Sequence, residues 1–252
     1  MMRGAICVWQ RDIIVLRRNW FGEIATVLAF PLTFFLTFGL GLQGYIQDVE
    51  GVPYATFVVP GLVSMTAILG AFDDGSWGMW FHRVVQKTIE EYRVNPMTVT
   101  DIIVGKIISG FTSGILKGIA VGIPLLFLTG FHFRFMHFLA YLFFIFLGCI
   151  IFSCLGSLCG TVIDKPENLG RFEAVVVMPA IFLAGLFFPL AAYPEGILPY
   201  IRVIPTTALF DGARLALLTG KIDFLYAVNL TVSALISFIL TIRVFERKMH
   251  EQ

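Results

Sequence analysis

The stretch FFPLAAYPEGILPYIRVIP, residues 187–205, decides how the rest of the chain is read. It carries four prolines, Pro189, Pro194, Pro199 and Pro205, with one glycine and two charges in an otherwise membrane-like composition. Proline inside a helix removes a backbone donor and clashes with the preceding turn, so the stretch is too broken to span a bilayer. It is also too apolar for an ordinary loop. Non-spanning backbone at membrane depth is tolerated where protein covers it or a water-filled cavity faces it. The prolines cut the chain into one-turn and two-turn pieces, which reads as a re-entrant helical hairpin ahead of the last apolar segment. The plain alternative is a proline-rich cap lying on the membrane surface.

The whole composition supports a membrane setting. Of 252 residues 58% are hydrophobic and 14% are charged, and mean hydropathy is +0.85. Soluble domains carry roughly 25% charged residues, so composition makes this chain an integral membrane protein, and its long apolar segments make the expected fold all-α. A net charge of +1 gives no sign of a nucleic-acid partner. Cys149, Cys154 and Cys159 recur every five residues, about 140° apart on a helix. They cannot converge on one metal and read as packing residues.

A spanning helix needs about 20 apolar residues. Segments 27–46, 54–80, 102–128, 135–160 and 223–242 qualify, and 174–190 is a shorter sixth that runs into the opening stretch. Residues 1–252 then form one transmembrane domain of six spans, with 191–221 as its outer re-entrant region. Six spans place both termini on one side. Thirteen Lys and Arg residues fall on that side and four on the other, with Lys117 inside a span. The positive-inside rule makes the termini cytoplasmic, in the inner membrane of a prokaryote. Ile6, Trp9, Ile13, Leu16 and Trp20 form one apolar stripe, with Arg11 and Arg18 opposite. Residues 1–22 therefore read as an amphipathic helix in the membrane interface rather than a secretory signal.

Inside the spans, Gly110, Gly114, Gly118 and Gly122 keep a four-residue spacing that allows a neighbouring helix close approach. Lys117 borders that stripe, where a charge is expensive and has to face protein or water. It has two readings, contact with an anionic substrate or an ion pair with Asp73 or Asp74. Those two carboxylates either line an entrance or mark where the helix leaves lipid. The cytoplasmic segment HRVVQKTIEEYRVNPMTVTDIIVGKI, 82–107, offers a short charged helix over Val84–Arg93 and a stop at Asn95-Pro96. Thr100 is the expected cap of the next helix. This rigid elbow suits force transmission, or a plain connection.

The chain lacks GxxxxGK[ST], so it has no phosphate-cradling loop for a nucleotide of its own. Asp211-Gly212-Ala213-Arg214 is a near-miss to the opening motif of the CDP-alcohol phosphotransferases, but only Asp223 follows. A membrane enzyme of that kind needs further aspartates that are missing.

Nearly the full length resembles the membrane subunits of type-2 ABC exporters. The residues that carry the likeness are Gly51-Val52-Pro53-Tyr54 and Val59-Pro60-Gly61-Leu62, then Arg83 leading to Thr88-Ile89-Glu90-Glu91 and Asn95-Pro96-Met97. Phe187-Phe188-Pro189-Leu190, Leu198-Pro199, Ile204-Pro205 and Asp211-Gly212-Ala213-Arg214 follow in the family's order. The first two signatures are most similar to the nodulation-factor and daunorubicin-type branch. Two departures stand out: His82-Arg83-Val84 replaces the usual Arg-Glu start, and Lys87 occupies the place of a glycine.

The resemblance implies a homodimeric permease with two copies of a separate ABC ATPase that binds ATP and Mg, and no cofactor in this chain. It makes loop 82–97 the ATPase-coupling element, with Arg83, Lys87, Thr88, Glu90, Glu91, Arg93, Asn95 and Pro96 as its residues. An amphiphilic substrate, such as a lipid-linked glycan, a lipo-oligosaccharide or a hydrophobic drug, would leave through the membrane, among its lipids. Asp73, Asp74, Lys117, Pro189, Tyr193, Pro194, Pro199, Arg202, Asp211 and Arg214 are the expected path or gate. The alternative is an ion-coupled secondary transporter or an ATP-independent flippase, which predicts polar groups near the middle of several spans. Of those, Lys117 is the clear candidate.

Overall fold

The computed structural model describes residues 2–41, 45, 48–87, 98–130 and 133–251. These residues are helical, with no strand among them. Helix α1 (Met2–Arg18) ends at Asn19, and α2 (Trp20–Phe34) continues as a π-helical turn, Phe35–Leu40. Next comes α3 (Tyr54–Trp80), also prolonged by a π-helical turn, Phe81–Val85. After it lie α4 (Val99–Thr129) and α5 (Phe135–Val162). Then α6 (Pro166–Phe172), a π-helical turn (Glu173–Val177) and α7 (Met178–Phe182) run on as one helix over 166–182. The last part holds a 3₁₀ turn (Leu190–Ala192), α8 (Leu198–Val203), α9 (Pro205–Thr219) and α10 (Phe224–Glu251).

Five helices are long and apolar enough to cross a membrane: 20–40, 54–85, 99–129, 135–162 and 224–249. The sixth expected span, 174–190, is not among them; the helix found in that region runs over 166–182. That helix starts with Pro166 at the first position, which costs no hydrogen bond there, and stops at Phe182. Gly185 then turns the chain with φ +78, a conformation glycine adopts freely. Glu167, Arg171 and Glu173 hide the true start from a hydropathy reading.

The opening stretch is also more ordered than short broken pieces. Pro189, Pro199 and Pro205 each sit at or next to a helix start. From Pro205 runs a 15-residue helix, α9, rather than a one- or two-turn piece, and it buries Thr206 to Phe210 and Arg214. It packs on α5 through two close approaches, Gly148 under Leu209 and Gly212 under Phe144.

α3 is the axis of the bundle. Most of its apolar stretch is buried, against a small share of α2 and of α10, and it packs along α4 and α5. The expected cap of α4 shifts by two residues. Thr98 accepts from the Asp101 amide at 3.2 Å while Asp101 accepts from the Thr98 amide at 3.3 Å, a reciprocal capping box. Thr100 has no acidic residue three positions on and cannot close one.

Candidate functional site

The glycines of α4 meet α3. A side chain at Gly114 would run into the Ala67 carbonyl, and one at Gly110 into Ser153 of α5 and the Ala71 carbonyl. Gly118 lies against the Ala67 side chain, and Gly122 against Val63 with ordinary clearance. Beside this stripe runs a second one that the sequence reading did not draw. Lys106, Ser109, Ser113 and Lys117 step by three, four and four residues, which keeps them within about 80° of one another around the helix.

Both lysines of this polar stripe are buried, Lys106 at 2% and Lys117 at 8% exposure. Their stems find room because α3 offers glycines opposite. A methyl at Gly70 would strike the Lys117 chain, and one at Gly78 the Lys106 ammonium. Lys117 pairs with Glu23 of α2 at 2.9 Å, rather than with Asp73 or Asp74. Lys106 pairs with Asp12 of α1 at 2.8 Å, and Arg11 reaches the other Asp12 oxygen at 2.9 Å. Burial pushes the Asp12 carboxyl up, but Lys106 and Arg11 outweigh it and hold the group below the usual carboxylate range. Asp74 accepts the Ser109 hydroxyl at 2.8 Å.

Asp12, Glu23, Asp74, Lys106 and Lys117 line a cavity of about 700 Å³ between α1, α2, α3, α4 and Glu173. A second cavity of about 360 Å³ shares Thr26, Val27, Asp73 and Lys117 with it and is otherwise mainly apolar, lined by Phe30, Met65, Leu69 and Phe182 among others. The two adjoin at these shared residues, the first polar near α1 and the second greasy beyond Asp73. Glu23, Asp12, Lys106 and Glu173 belong to the first and were missed, because each lies where a charge ordinarily marks the end of an apolar segment.

The same end of the bundle holds the feet of loop 82–97. Thr88, Glu90, Glu91, Arg93, Asn95 and Pro96 lie outside the described residues. Arg83 does not reach outward. It donates to the carbonyls of Gly160 at 3.2 Å and Ile163 at 2.7 Å, and to Asp164 at 2.6 Å. Its hydrogen bond holds the Asp164 carboxyl below the usual range. Trp80 adds a bond to the Asp164 carbonyl at 2.8 Å. Lys87 has φ +55, so a left-handed residue stands where the resembling family has glycine, at a cost of about 1 kcal/mol.

α1 crosses both feet. Arg11 donates to His82 Nδ1 at 2.9 Å, Trp9 donates to Thr112 at 3.1 Å, and Gly4 lies against Asp101 at the start of α4.

Arg214 and Asp211 sit together elsewhere. Arg214, 1% exposed, donates to the carbonyls of Gly185 at 2.7 Å and Leu186 at 2.9 Å and lies 3.8 Å over the Phe57 ring. Asp211 is 3.7 Å from Arg214 and accepts the Tyr226 hydroxyl at 2.9 Å. From Phe57 to Asp73 is sixteen residues of α3, about 24 Å of helix. Pro189, Tyr193, Pro194, Pro199 and Arg202 do not line the cavities around Asp73.

A profile of the ABC-2 type transporter family matches residues 5–218. The chain is 26% identical to Nodulation protein J of Bradyrhizobium diazoefficiens, an alignment covering 96% of this chain and 92% of that protein. It is 27% identical to the inner membrane transport permease YadH of Escherichia coli K12, covering 82% and 80%. Nodulation protein J of Rhizobium meliloti is 24% identical over 97% and 93%. An all-helical bundle with five helices long and apolar enough to cross a membrane, matched by this family's profile over residues 5–218, the chain belongs to the ABC-2 type transporter family.

Proposed function

We propose that two copies of this chain form the membrane half of an ATP-driven exporter in a prokaryotic cytoplasmic membrane. Each copy docks one separate ATPase subunit, which holds ATP and Mg, at segment 82–97. The cargo is an amphiphile of the lipid-linked glycan, lipo-oligosaccharide or hydrophobic drug class. In this reading both termini are cytoplasmic, α1 lies in the interface, 166–182 is the fifth of six spans, and the region 191–221 with Arg214 forms the outer gate. The relative named as an inner membrane transport permease supports the location.

The observation that carries the coupling is α1 lying across both feet of segment 82–97, through Arg11 with His82 and Gly4 with Asp101. A push on that segment moves α3 and α4 together with α1, which also closes one side of the polar cavity. The test is charge reversal at Glu90, Glu91 and Arg93 in the full chain, with the ATPase that co-purifies with it. Export falls while ATP hydrolysis and membrane insertion persist. Unchanged export removes the segment from the mechanism.

The ion-coupled alternative gains one observation, the convergence of Glu23, Asp73, Asp74 and Glu173 on one cavity where a lone Lys117 was expected. Uptake into vesicles holding this chain alone, driven by an ion gradient, is the result that would favour it.

A further inference from the structure

The charges lining the larger cavity are unequal. Five carboxylates, Asp12, Glu23, Asp73, Asp74 and Glu173, face two ammonium groups, Lys106 and Lys117, with the Arg11 guanidinium against Asp12 as a third cation. Both lysines are already paired, with Asp12 and Glu23, and Asp74 takes the Ser109 hydroxyl. Among the described residues, the side-chain carboxylates of Asp73 and Glu173 have neither an ion pair nor a hydrogen bond. Uncompensated carboxylates among membrane spans are costly and mark a place where something charged is received. A second, independent feature points into the same space. Ser113 lines the cavity and is 2% exposed, and its hydroxyl has no hydrogen-bond partner, the kind of orphan that a bound donor or water resolves.

We infer that this cavity receives the cationic head of an amphiphile, an alkylammonium or alkylguanidinium group, with its apolar body in the adjoining cavity. The inference deepens the transport reading and rests on it. Asp73 stands on the border of the two cavities, where an ammonium meets a carboxylate while its chain contacts Phe30, Met65, Leu69 and Phe182. Ser113 supplies a further acceptor for the head.

The carboxylates are spread around the wall. Among the described residues no three of them, with His or Cys, converge in a way that could hold a metal ion. That spacing suits a bulky organic head rather than a bare divalent cation. Each cavity, about 700 and 360 Å³, falls in the range of small-molecule sites. An anionic head faces the wrong sign, so within the cargo classes above the structure favours an amine-bearing drug or an amino-sugar lipid over a phosphate-linked one.

Trp77 and Trp80 line the polar cavity and provide the readout. The full chain is placed in phosphatidylcholine nanodiscs, so that no net-charged lipid surface attracts the probes. Tryptophan quenching is then titrated with two nitroxide-headed dodecyl amphiphiles, one a quaternary ammonium and one a phosphate. Saturable quenching by the ammonium probe, at least tenfold tighter than by the phosphate probe, is the expected result. Asp73→Asn weakens the ammonium probe at least tenfold, about 1.4 kcal/mol, Glu173→Gln weakens it likewise, and Asp73→Glu restores it.

Equal quenching by both probes, or preference for the phosphate, overturns the inference on the native chain, whether or not any variant folds. So does ammonium binding indifferent to both neutralised carboxylates. Parallel co-purification with the ATPase separates the two claims. Complex formation without ammonium selectivity sinks the inference alone. Selective binding with no ATPase sinks the exporter reading and leaves the cavity's preference standing.

Discussion

The ion pair of Lys106 with Asp12 fastens α1 to the transmembrane bundle, and its removal has a calculable effect. The two charges are 2.8 Å apart, with side chains 3% and 5% exposed. Their attraction at an effective dielectric of 20 is about 6 kcal/mol before desolvation is subtracted. Breaking such a buried pair by removing one partner costs about 3 kcal/mol, at the low end here because Arg11 stays beside Asp12. α1 remains tethered by the Trp9–Thr112 bond, so the loss appears as local opening. Amide hydrogen exchange measures it directly. Lys106→Met lowers protection of α1 roughly 150-fold by this arithmetic, while the double variant Asp12→Asn, Lys106→Met loses far less than the two singles combined.

The same pair fixes a pH signature. The Asp12 carboxyl is held below its ordinary value in the folded state, so its contribution is full above the unfolded value of about 4 and disappears as pH falls through the lower folded one. Protection of α1, corrected for intrinsic exchange, stays flat from about pH 5 to 8 and declines below about pH 4. In Lys106→Met burial dominates and the decline moves to higher pH. Loss under threefold in the single variant, or strict additivity in the double, refutes the assignment of this pair as the α1 fastening.

Three other outcomes follow from the packing. Gly114→Ala drives a methyl into the Ala67 carbonyl and costs about 1–3 kcal/mol, whereas Gly122→Ala, with only ordinary contact to Val63, is near neutral; thermal midpoints in detergent compare them. Arg83→Ala frees the carbonyls of Gly160 and Ile163 for a loss of about 2 kcal/mol, and Arg83→Lys fails to restore it because a point charge cannot fork to three acceptors. Arg214→Met orphans the Gly185 and Leu186 carbonyls and removes the contact with Phe57. The net cost is about 2–4 kcal/mol, read as a lowered midpoint.

The sequence discloses what depends on long apolar runs and little of what depends on where charges meet. Spans over α3, α4, α5 and α10 were legible because uninterrupted apolar length has few other uses. The helix over 166–182 was not, since Glu167, Arg171 and Glu173 resemble loop charges until Glu173 is found against a cavity. The glycine stripe could be read from its spacing, but its grading from tight at Gly114 to loose at Gly122 depends on which α3 atoms lie opposite. Lys117 announced itself by standing alone in a span. Its partner Glu23 did not, because residues 94 apart share no local pattern. Only the step of Lys106, Ser109, Ser113 and Lys117 was a readable signal of the cavity, and recognising it required weighing two serines with the lysines.

The arrangement of clasps bears on how movement at one membrane face can reach the other. α3 is held at one end by Arg83 and Trp80 against the end of α5, and near its start by Phe57 under Arg214, which also grips the Gly185 turn. Those grips are 26 residues apart, about 39 Å of helix. A helix of that length buried over most of its surface cannot bend independently at each end, because close-packed interiors transmit displacement rather than absorb it. Pro60 is the one break in its donor ladder, and the hydroxyls of Ser64 and Tyr141 reach its carbonyl at 2.6 and 3.1 Å, bracing that point against α5. Tilting α3 at the His82 end therefore has to displace Phe57, and with it the guanidinium that orders the turn at Gly185 and Leu186. Asp73 lies between the two grips, so the cavity walls change whenever the helix moves.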